Sequence, residues 1–71
     1  MNQINPKKLL HSKWTRVLVE NKEKHFIVSG VEFDEAGEVI ECIIEAVINN
    51  RQQLIDWQSL KDSSLWRQNW Q

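Results

Sequence analysis

Residues 39–48, which read VIECIIEAVI, decide the fold because they alternate between an apolar set and a mixed set of side chains. Successive side chains of a β-strand point to opposite faces of the sheet. We therefore predict a strand with one dry face and one mixed face. The dry face holds Ile40, Cys42, Ile44, Ala46 and Ile48, and the mixed face holds Val39, Glu41, Ile43, Glu45 and Val47.

Two strands are predicted before this segment. Residues 14–19 are dominated by β-branched and aromatic side chains, which favour strands, and the polar run 20–24 suits a turn. Between residues 25 and 33 the apolar positions change parity at Ser29-Gly30, which indicates a β-bulge. Residues 34–37, which read DEAG, are typical of a tight loop whose glycine takes a positive φ.

A fourth strand is predicted after the segment. The Asn-Asn pair at 49–50 tolerates left-handed backbone conformations and suits a two-residue hairpin turn. Alternation over residues 51–57 then favours a strand. The same stretch also allows a helix, because Leu54, Trp57 and Leu60 are three residues apart. The strand is preferred because a turn signal precedes it.

A short helix is predicted near the C-terminus. Asp62 has the form of an N-cap, and Trp66 and Trp70 are four residues apart, which would place both on one helix face. Because a helix this short is unstable in water on its own, we expect its tryptophan face to pack on the sheet.

These elements predict a mainly β fold of the small α+β kind, a four-stranded antiparallel meander with a short C-terminal helix. The bulge favours an SH3-like half-barrel, and a flat sheet with the helix across one face fits the same pattern. Residues 1–12, in which Pro6 opposes an early helix, are expected to form an extended arm anchored by Leu9 and Leu10. Residues 13–71 would form a single small β domain.

Composition predicts a small folded domain in the cytoplasm. The 71 residues are 41% hydrophobic with a net charge of -1, which excludes a strongly basic nucleic-acid tail and an acidic disordered segment. Cys42 is the only cysteine of the sequence, so no internal disulfide can form and a reducing compartment is expected. The longest apolar runs are three residues, so neither a signal peptide nor a membrane association is expected.

Several short motifs resemble a known family. They are residues 9–15 (LLHSKWT), Lys24-His25-Phe26, Glu45-Ala46-Val47 and Ile55-Asp56-Trp57, followed by Leu60, Asp62, Trp66 and Trp70. Together they resemble a family of small tryptophan-rich bacterial proteins of unknown function. Members of that family usually carry a glycine before the last tryptophan, where this chain has Asn69. The resemblance implies a bacterial, cytoplasmic protein, and it implies no activity, cofactor or catalytic residue.

Charge is unevenly distributed along the chain. Residues 26–50 hold six acidic side chains and no lysine or arginine, and these are expected to form a solvated face. Residues 1–25 hold six basic and two acidic side chains. A basic β-domain can bind single-stranded nucleic acid when its cations follow the phosphates and an aromatic ring stacks on a base. The candidate residues for this role are Lys7, Lys8, Lys13, Trp14 and Arg16.

No catalytic, metal or cofactor site is predicted. Cys42 lies between Ile40 and Ile44 on the dry face and is interpreted as a buried small hydrophobe rather than a nucleophile. A zinc site of His11, His25 and Cys42 would require two exposed residues to meet a buried one, and the spacings typical of zinc ligands are absent from the sequence.

The four tryptophans favour a binding role. Trp57, Trp66 and Trp70 are expected to form a small core that leaves one ring exposed. An exposed tryptophan beside a charged rim is typical of a protein-binding hot spot, and Trp66 and Trp70 are the candidates. We therefore predict a non-enzymatic protein-interaction module that binds another protein or a second copy of itself. The alternatives are the single-stranded nucleic-acid binder and, third, an enzyme or an accessory subunit of one.

Overall fold

An antiparallel β-sheet organises the protein, whose computed structural model describes residues 2–71. Two short 3-10 helices flank the strands, at Pro6–Lys8 and Trp57–Lys61. Within the described residues the strands are β1 (Lys13–Glu20), β2 (Glu23–Phe33), β3 (Val39–Ala46), β4 (Gln52–Ile55) and β5 (Trp66–Gln68). Their order across the sheet is β4-β3-β2-β1-β5. The predicted mainly β, antiparallel fold is confirmed, in the form of an open sheet rather than an SH3-like half-barrel.

Local sequence determines the two central hairpins. β1 and β2 are joined through Asn21 and Lys22, both of which have the positive φ that a two-residue type I′ turn requires. The pairing of β2 with β3 shifts register between Val28 and Gly30, which confirms the predicted bulge. Gly37 has a φ of +82° between β2 and β3, which confirms the predicted tight loop.

The connection between β3 and β4 is longer than predicted. The Ala46 N–H donates to the Arg51 carbonyl at 2.9 Å, so the loop consists of residues 47–50 instead of a two-residue turn. Asn50 provides a positive φ in this loop. The strand prediction over 51–57 is confirmed for Gln52–Ile55, whereas Trp57 begins the second 3-10 helix.

The dry face of β3 is shorter than predicted. Cys42, Ile44 and Ala46 are buried. Ile48 is exposed because it lies in the loop after β3. Ile40 is exposed because the pairing of β2 with β3 skips it in a second register shift, and because β4 ends opposite Cys42. The apolar alternation in the sequence thus extends beyond the buried part of the strand at both ends.

A fifth strand replaces the predicted C-terminal helix. Asp62 Oδ1 accepts hydrogen bonds from the backbone N–H and the hydroxyl of Ser64, so the expected capping residue closes a turn instead. The chain then pairs with β1, with Trp66 opposite Arg16. The helix prediction is wrong because tryptophan spacing is a local signal, whereas the backbone partners at the edge of β1 are far away in sequence.

One face of the sheet carries the hydrophobic core. Phe26 packs edge-to-face on Trp66, with ring centroids 5.2 Å apart. The N-terminal arm and the second 3-10 helix cover this face and contribute Leu9 and Leu60. The other buried members of the core are Trp14, Val28, Cys42, Ile44 and Ala46.

The N-terminal arm is tied to the core by hydrogen bonds. Asn2 Nδ2 donates to the Leu60 carbonyl at 2.9 Å, and the Asn2 N–H donates to the Lys61 carbonyl at the same distance. Leu9 is buried as expected, but Leu10 is exposed, so one leucine anchors the arm and not two. Residue 1 of the predicted arm lies outside the described residues.

Asn69 directs the chain out of β5. Its φ is +64°, in the left-handed region that glycine adopts readily and asparagine tolerates. Its N–H donates to the Lys13 carbonyl at 2.8 Å, which holds this conformation against the sheet. The resemblance described above marks this position as a usual glycine, and the positive φ gives a physical reason for that residue.

Replacing Asn69 by glycine or alanine tests this backbone requirement, because both substitutions remove the amide side chain. We expect the free energy of unfolding to be about 1 kcal/mol higher for Asn69→Gly than for Asn69→Ala, since alanine is strained at positive φ. Urea unfolding followed by tryptophan fluorescence measures the difference. Ala36 is the control, because its φ is not positive. There alanine should be more stable than glycine, so Ala36→Gly should have a lower free energy of unfolding than wild type. Equal stability of the two Asn69 variants would contradict the requirement.

Candidate functional site

The face of the sheet opposite the core is the candidate site. Ile27 lies between two core residues of β2, and Ile43 lies between two core residues of β3, so both side chains point away from the core. Within residues 2–71, the segment 69–71 folds across part of this side. We call the surface the open face. Its strand residues are Lys13, Thr15, His25, Ile27, Gly30, Glu32, Glu41, Ile43, Glu45, Gln52, Leu54 and Arg67.

Three aliphatic side chains, Ile27, Ile43 and Leu54, form the apolar centre of the open face. Ile43 lies opposite Leu54 on one side and opposite Gly30 on the other. A Cβ at Gly30 would stand 3.4 Å from the Ile43 Cδ1, so the glycine of the bulge lets the isoleucine lie across β2. Ile27 is the diagonal neighbour of Ile43. Leu54 is 65% exposed, so an aliphatic surface faces solvent.

Trp70 lies on the same face, beside the apolar centre. Its indole Nε1 donates to the Phe26 carbonyl at 3.0 Å, and its ring centroid is 5.8 Å from that of His25. The Lys13 Nζ lies 4.8 Å from the centre of the Trp70 ring. Thr15 Oγ1 fixes the segment, because it accepts from the Gln71 N–H at 2.8 Å. The ring is held in place and is still 42% exposed.

The open face is electrically polarised across the strands. Lys13, Ile27, Glu45 and Gln52 lie in one row, each opposite the next. The cation and the carboxylate therefore flank Ile27 on opposite sides, one strand away each. Gln52 Nε2 donates to Glu45 Oε1 at 2.8 Å and orients that carboxylate. Arg67 adds a second cation on the side of β1 and β5.

Glu23 is a buried carboxylate at the end of β2 where two hairpins meet. It accepts hydrogen bonds from the Arg51 Nε at 2.8 Å and from the Asn49 Nδ2 at 2.9 Å, and it pairs with the Arg51 Nη2. The Arg51 hydrogen bonds, followed by that of Asn49, lower the pKa of Glu23 from 4.5 to about 2. Since Arg51 immediately precedes β4, this cluster links the β1–β2 hairpin to the strand that carries Leu54.

The residues predicted to bind nucleic acid do not form one surface. Trp14 is 2% exposed and its Nε1 donates to Ser12 Oγ at 2.8 Å, so its ring is a core residue that cannot stack on a base. The Arg16 guanidinium lies 5.5 Å from the centre of the Trp66 ring. Lys7 and Lys8 lie on the first 3-10 helix, and Lys13 is the member of the set that belongs to the open face.

The two predicted partner-binding tryptophans have different environments. Trp66 is 5% exposed and packs on Phe26, so its role as a contact residue is corrected to that of a core residue. The physical reason is that Trp66 begins β5 and points into the core, while the turn at Asn69 brings Trp70 to the opposite face. Trp70 thus remains as the candidate contact residue.

Cys42 and the two histidines are not brought together. Cys42 is buried in the core as predicted, and desolvation raises the pKa of its thiol to about 11. His25 lies on the open face, on the other side of the sheet, and His11 is exposed before β1. Among residues 2–71 no three His, Cys, Asp or Glu side chains are grouped as a metal site.

Sequence reasoning did not select Ile27, Ile43 or Leu54 as site residues. The available signal was the mixed face of β3, where Val39, Ile43 and Val47 alternate with glutamates. A strand with apolar residues on both faces indicates that the second face also makes contacts. The convergence of three strands on one patch depends on their register, which the bulge and the four-residue loop determine.

Comparison with known proteins identifies the family of this chain. The tryptophan-rich protein family DUF2389 matches residues 12–71, so the chain belongs to this family, as the resemblance indicated. No curated protein and no solved structure matches the chain. In the described part of the chain, no helix has the length and apolar character needed to cross a membrane.

Glu23→Gln tests the buried carboxylate through the pH dependence of stability. Because the folded-state pKa of Glu23 is lowered, its stabilisation is fully present above its usual pKa of 4.5 and is lost as the pH falls towards 2. We expect the wild-type free energy of unfolding to fall more steeply than that of Glu23→Gln between about pH 6 and pH 2. The variant should also be the less stable protein at neutral pH.

Urea unfolding at a series of pH values measures both effects. Glu20→Gln is the matched control, because Glu20 lies directly opposite Glu23 in the hairpin and is exposed. This control should keep the wild-type pH dependence. Identical curves for wild type and Glu23→Gln would show that the cluster does not stabilise the fold.

Proposed function

We propose that this protein is a non-enzymatic protein-binding module and that the open face is its binding surface. The observation that carries the proposal is the exposure of Leu54 at the β4 edge of an ordered apolar patch, with the exposed Trp70 at the opposite side of that patch, over β1 and β2. Contiguous apolar surface rimmed by polar side chains is typical of interaction sites. Tryptophan is enriched among the residues that dominate binding energy.

The open face is suited to a protein partner because it is broad and its backbone is already ordered. Each strand that carries the apolar centre is hydrogen-bonded to a neighbour in the sheet. A preorganised surface loses little conformational entropy on binding. The charged row on either side of Ile27 supplies a polar rim, which contributes orientation and specificity.

A cytoplasmic location in a bacterial cell is part of the proposal. Cys42 is a free thiol buried in the core, and such unpaired cysteines are typical of proteins in reducing compartments. The family match agrees with the resemblance from which the bacterial origin was inferred.

Single-stranded nucleic acid is the second candidate ligand, and one observation favours it. Trp70 is exposed with Lys13 over its ring, which is the combination of stacking platform and cation that such binders use. Titration with single-stranded oligonucleotides at low salt, followed by tryptophan fluorescence, tests this candidate. Quenching that added salt reverses would support it, and an unchanged spectrum would remove it.

A photo-crosslinking amino acid placed at Leu54 tests the proposed function directly. We expect irradiation of cells to attach a polypeptide to this position, because the partner covers the open face. Ile40 is the matched control, since it is 66% exposed and aliphatic, but lies near the start of β3, beyond the residues that pair with β4. Crosslinking at Ile40 should be weak or absent.

Gel mobility and mass spectrometry of the adducts provide the measurement. A specific adduct at Leu54 supports a protein partner of either kind, a second copy or a different chain. The same adducts at Leu54 and Ile40, or no adduct at Leu54, would count against the open face as a binding surface.

A further inference from the structure

We infer that the outer edge of β4 binds an extended segment of another polypeptide, which adds to the sheet as a further strand. The inference rests on the proposed function, because the added strand lies beside Leu54 of the open face and covers it. Three features of the molecule support it: the free backbone groups of β4, the closure of the opposite edge of the sheet, and the charges that flank Leu54.

The outward side of β4 carries backbone groups that pair with no other part of the described chain, residues 2–71. The Ala46 N–H donates to the Arg51 carbonyl at 2.9 Å, so this pair is hydrogen-bonded across β3 and β4. In an antiparallel ladder, hydrogen-bonded pairs alternate with pairs whose backbone groups point away from the partner strand. The register therefore makes Gln52 and Leu54 the outward residues. Their N–H and C=O groups can pair with an added strand.

The opposite edge of the sheet, at β5, is closed by the chain itself. Its outward residues are Trp66 and Gln68, because the Asn69 N–H bonds to β1. The Trp66 N–H donates to the Asp62 carbonyl at 3.0 Å, and the Trp66 carbonyl accepts from Asn2 Nδ2 at 2.7 Å. The Gln68 carbonyl accepts from the side chain of the C-terminal glutamine at 3.0 Å. The chain thus covers the β5 edge and leaves the β4 edge available for pairing.

β4 has few of the features that protect an exposed strand from pairing. Native edges are commonly covered, bulged, interrupted by proline or lined with charged side chains. β4 reads QQLI, with no charge and no proline, and its pairing with β3 is regular. Its one protective feature is a length of four residues, which suits a short motif of a partner rather than a long strand.

The surroundings of Leu54 are acidic along the edge. Every second side chain of an added strand reaches the open face, level with Gln52, Leu54 and Asp56 in turn. Gln52 Nε2 donates to Glu45 Oε1 at 2.8 Å, which directs that carboxylate towards β4. Asp56 continues β4 in an extended conformation and is exposed. A carboxylate therefore lies near the edge on each side of Leu54.

These charges predict the residues of the bound segment. An apolar side chain level with Leu54 covers it, and a cation on each side approaches the carboxylates of Glu45 and Asp56. The segment therefore has basic, apolar and basic side chains at every second position, a pattern that is the same in either strand direction. A second copy of β4 lacks these cations. An acidic segment is repelled by residues 26–50, which hold six acidic side chains and no lysine or arginine.

A short synthetic peptide in which lysine, valine and lysine alternate with threonine tests the inference. Amide hydrogen exchange is measured by NMR on the labelled protein, alone and with the peptide. At saturation the Gln52 and Leu54 N–H groups should exchange about tenfold more slowly, because each gains a carbonyl partner. Gln53 and Ile55, which already bond to β3, should change little. The same peptide with glutamate in place of lysine is the control and should give no protection.

Gln52→Pro tests the backbone contact. Its N–H points away from β3, so proline removes a donor from the edge and leaves the pairing with β3 intact. The variant should remain folded by circular dichroism and lose peptide binding.

Charge variants keep the test decisive if Gln52→Pro does not fold. Glu45→Gln and Asp56→Asn retain acceptor oxygens for their present hydrogen bonds. Each should weaken peptide binding about fivefold at low salt, because one of the two charge contacts is lost. Glu35→Gln is the matched control, since it removes one carboxylate from the exposed β2–β3 loop, and it should bind like wild type.

The outcomes separate this inference from the proposed function. Protection of Gln52 and Leu54 by the lysine peptide, weakened by the charge variants, supports the inference when Leu54 also gives a specific adduct in cells. No protection, equal protection by the glutamate peptide, or a folded Gln52→Pro that binds like wild type overturns it. If Leu54 still gives its specific adduct in that case, the proposed function stands with a partner that packs on the open face. If Leu54 yields no adduct, both the proposed function and the inference fail.

Discussion

The sheet has two faces, and the described part of this chain has one full layer of other elements to cover them, which an antiparallel sheet tolerates because its second face can be solvated. About half of the residues are in strands, and most of the others form turns. The arm that precedes β1 and the 3-10 helix after β4 are the segments long enough to cover a face, and both lie on the same side, joined by Asn2. These two segments together exclude water from Phe26 and Trp66. The consequence is that Leu54 and its neighbours on the other face stay in solvent.

Features that depend on neighbouring residues could be predicted from the sequence. The strand at 39–46, the bulge at Gly30 and the positive φ of Gly37 each follow from alternation or from the freedom of glycine. Asp62 shows the limit of such signals, since its carboxylate accepts from Ser64 in a way that suits either a helix cap or a turn. The turn forms because the chain after it pairs with the exposed edge of β1, which lies nearly fifty residues earlier in the chain.

The candidate site was harder to predict because it depends on register. Ile27, Ile43 and Leu54 come from three strands, and they meet only because the bulge shifts β2 and the loop 47–50 sets the position of β4. A shift of one residue in β4 would turn Leu54 to the core side. Trp70 was singled out by its residue type, whereas its position followed from Asn69, whose conformation the sequence pattern did not specify.

Glu23 and its hydrogen-bond partners favour the observed register of β4. They therefore connect the stability of the fold to the candidate site on the open face. A buried carboxylate adds little net stability when its partners are ideal, but it is strongly destabilising when they are lost. Any displaced β4 would move Arg51 away from Glu23, so this cluster penalises the wrong registers more than it stabilises the right one. The same residues therefore define the position of Leu54 on the open face. Folding, register and the candidate site are thus linked through one strand, β4, which carries Leu54 and follows Arg51 directly.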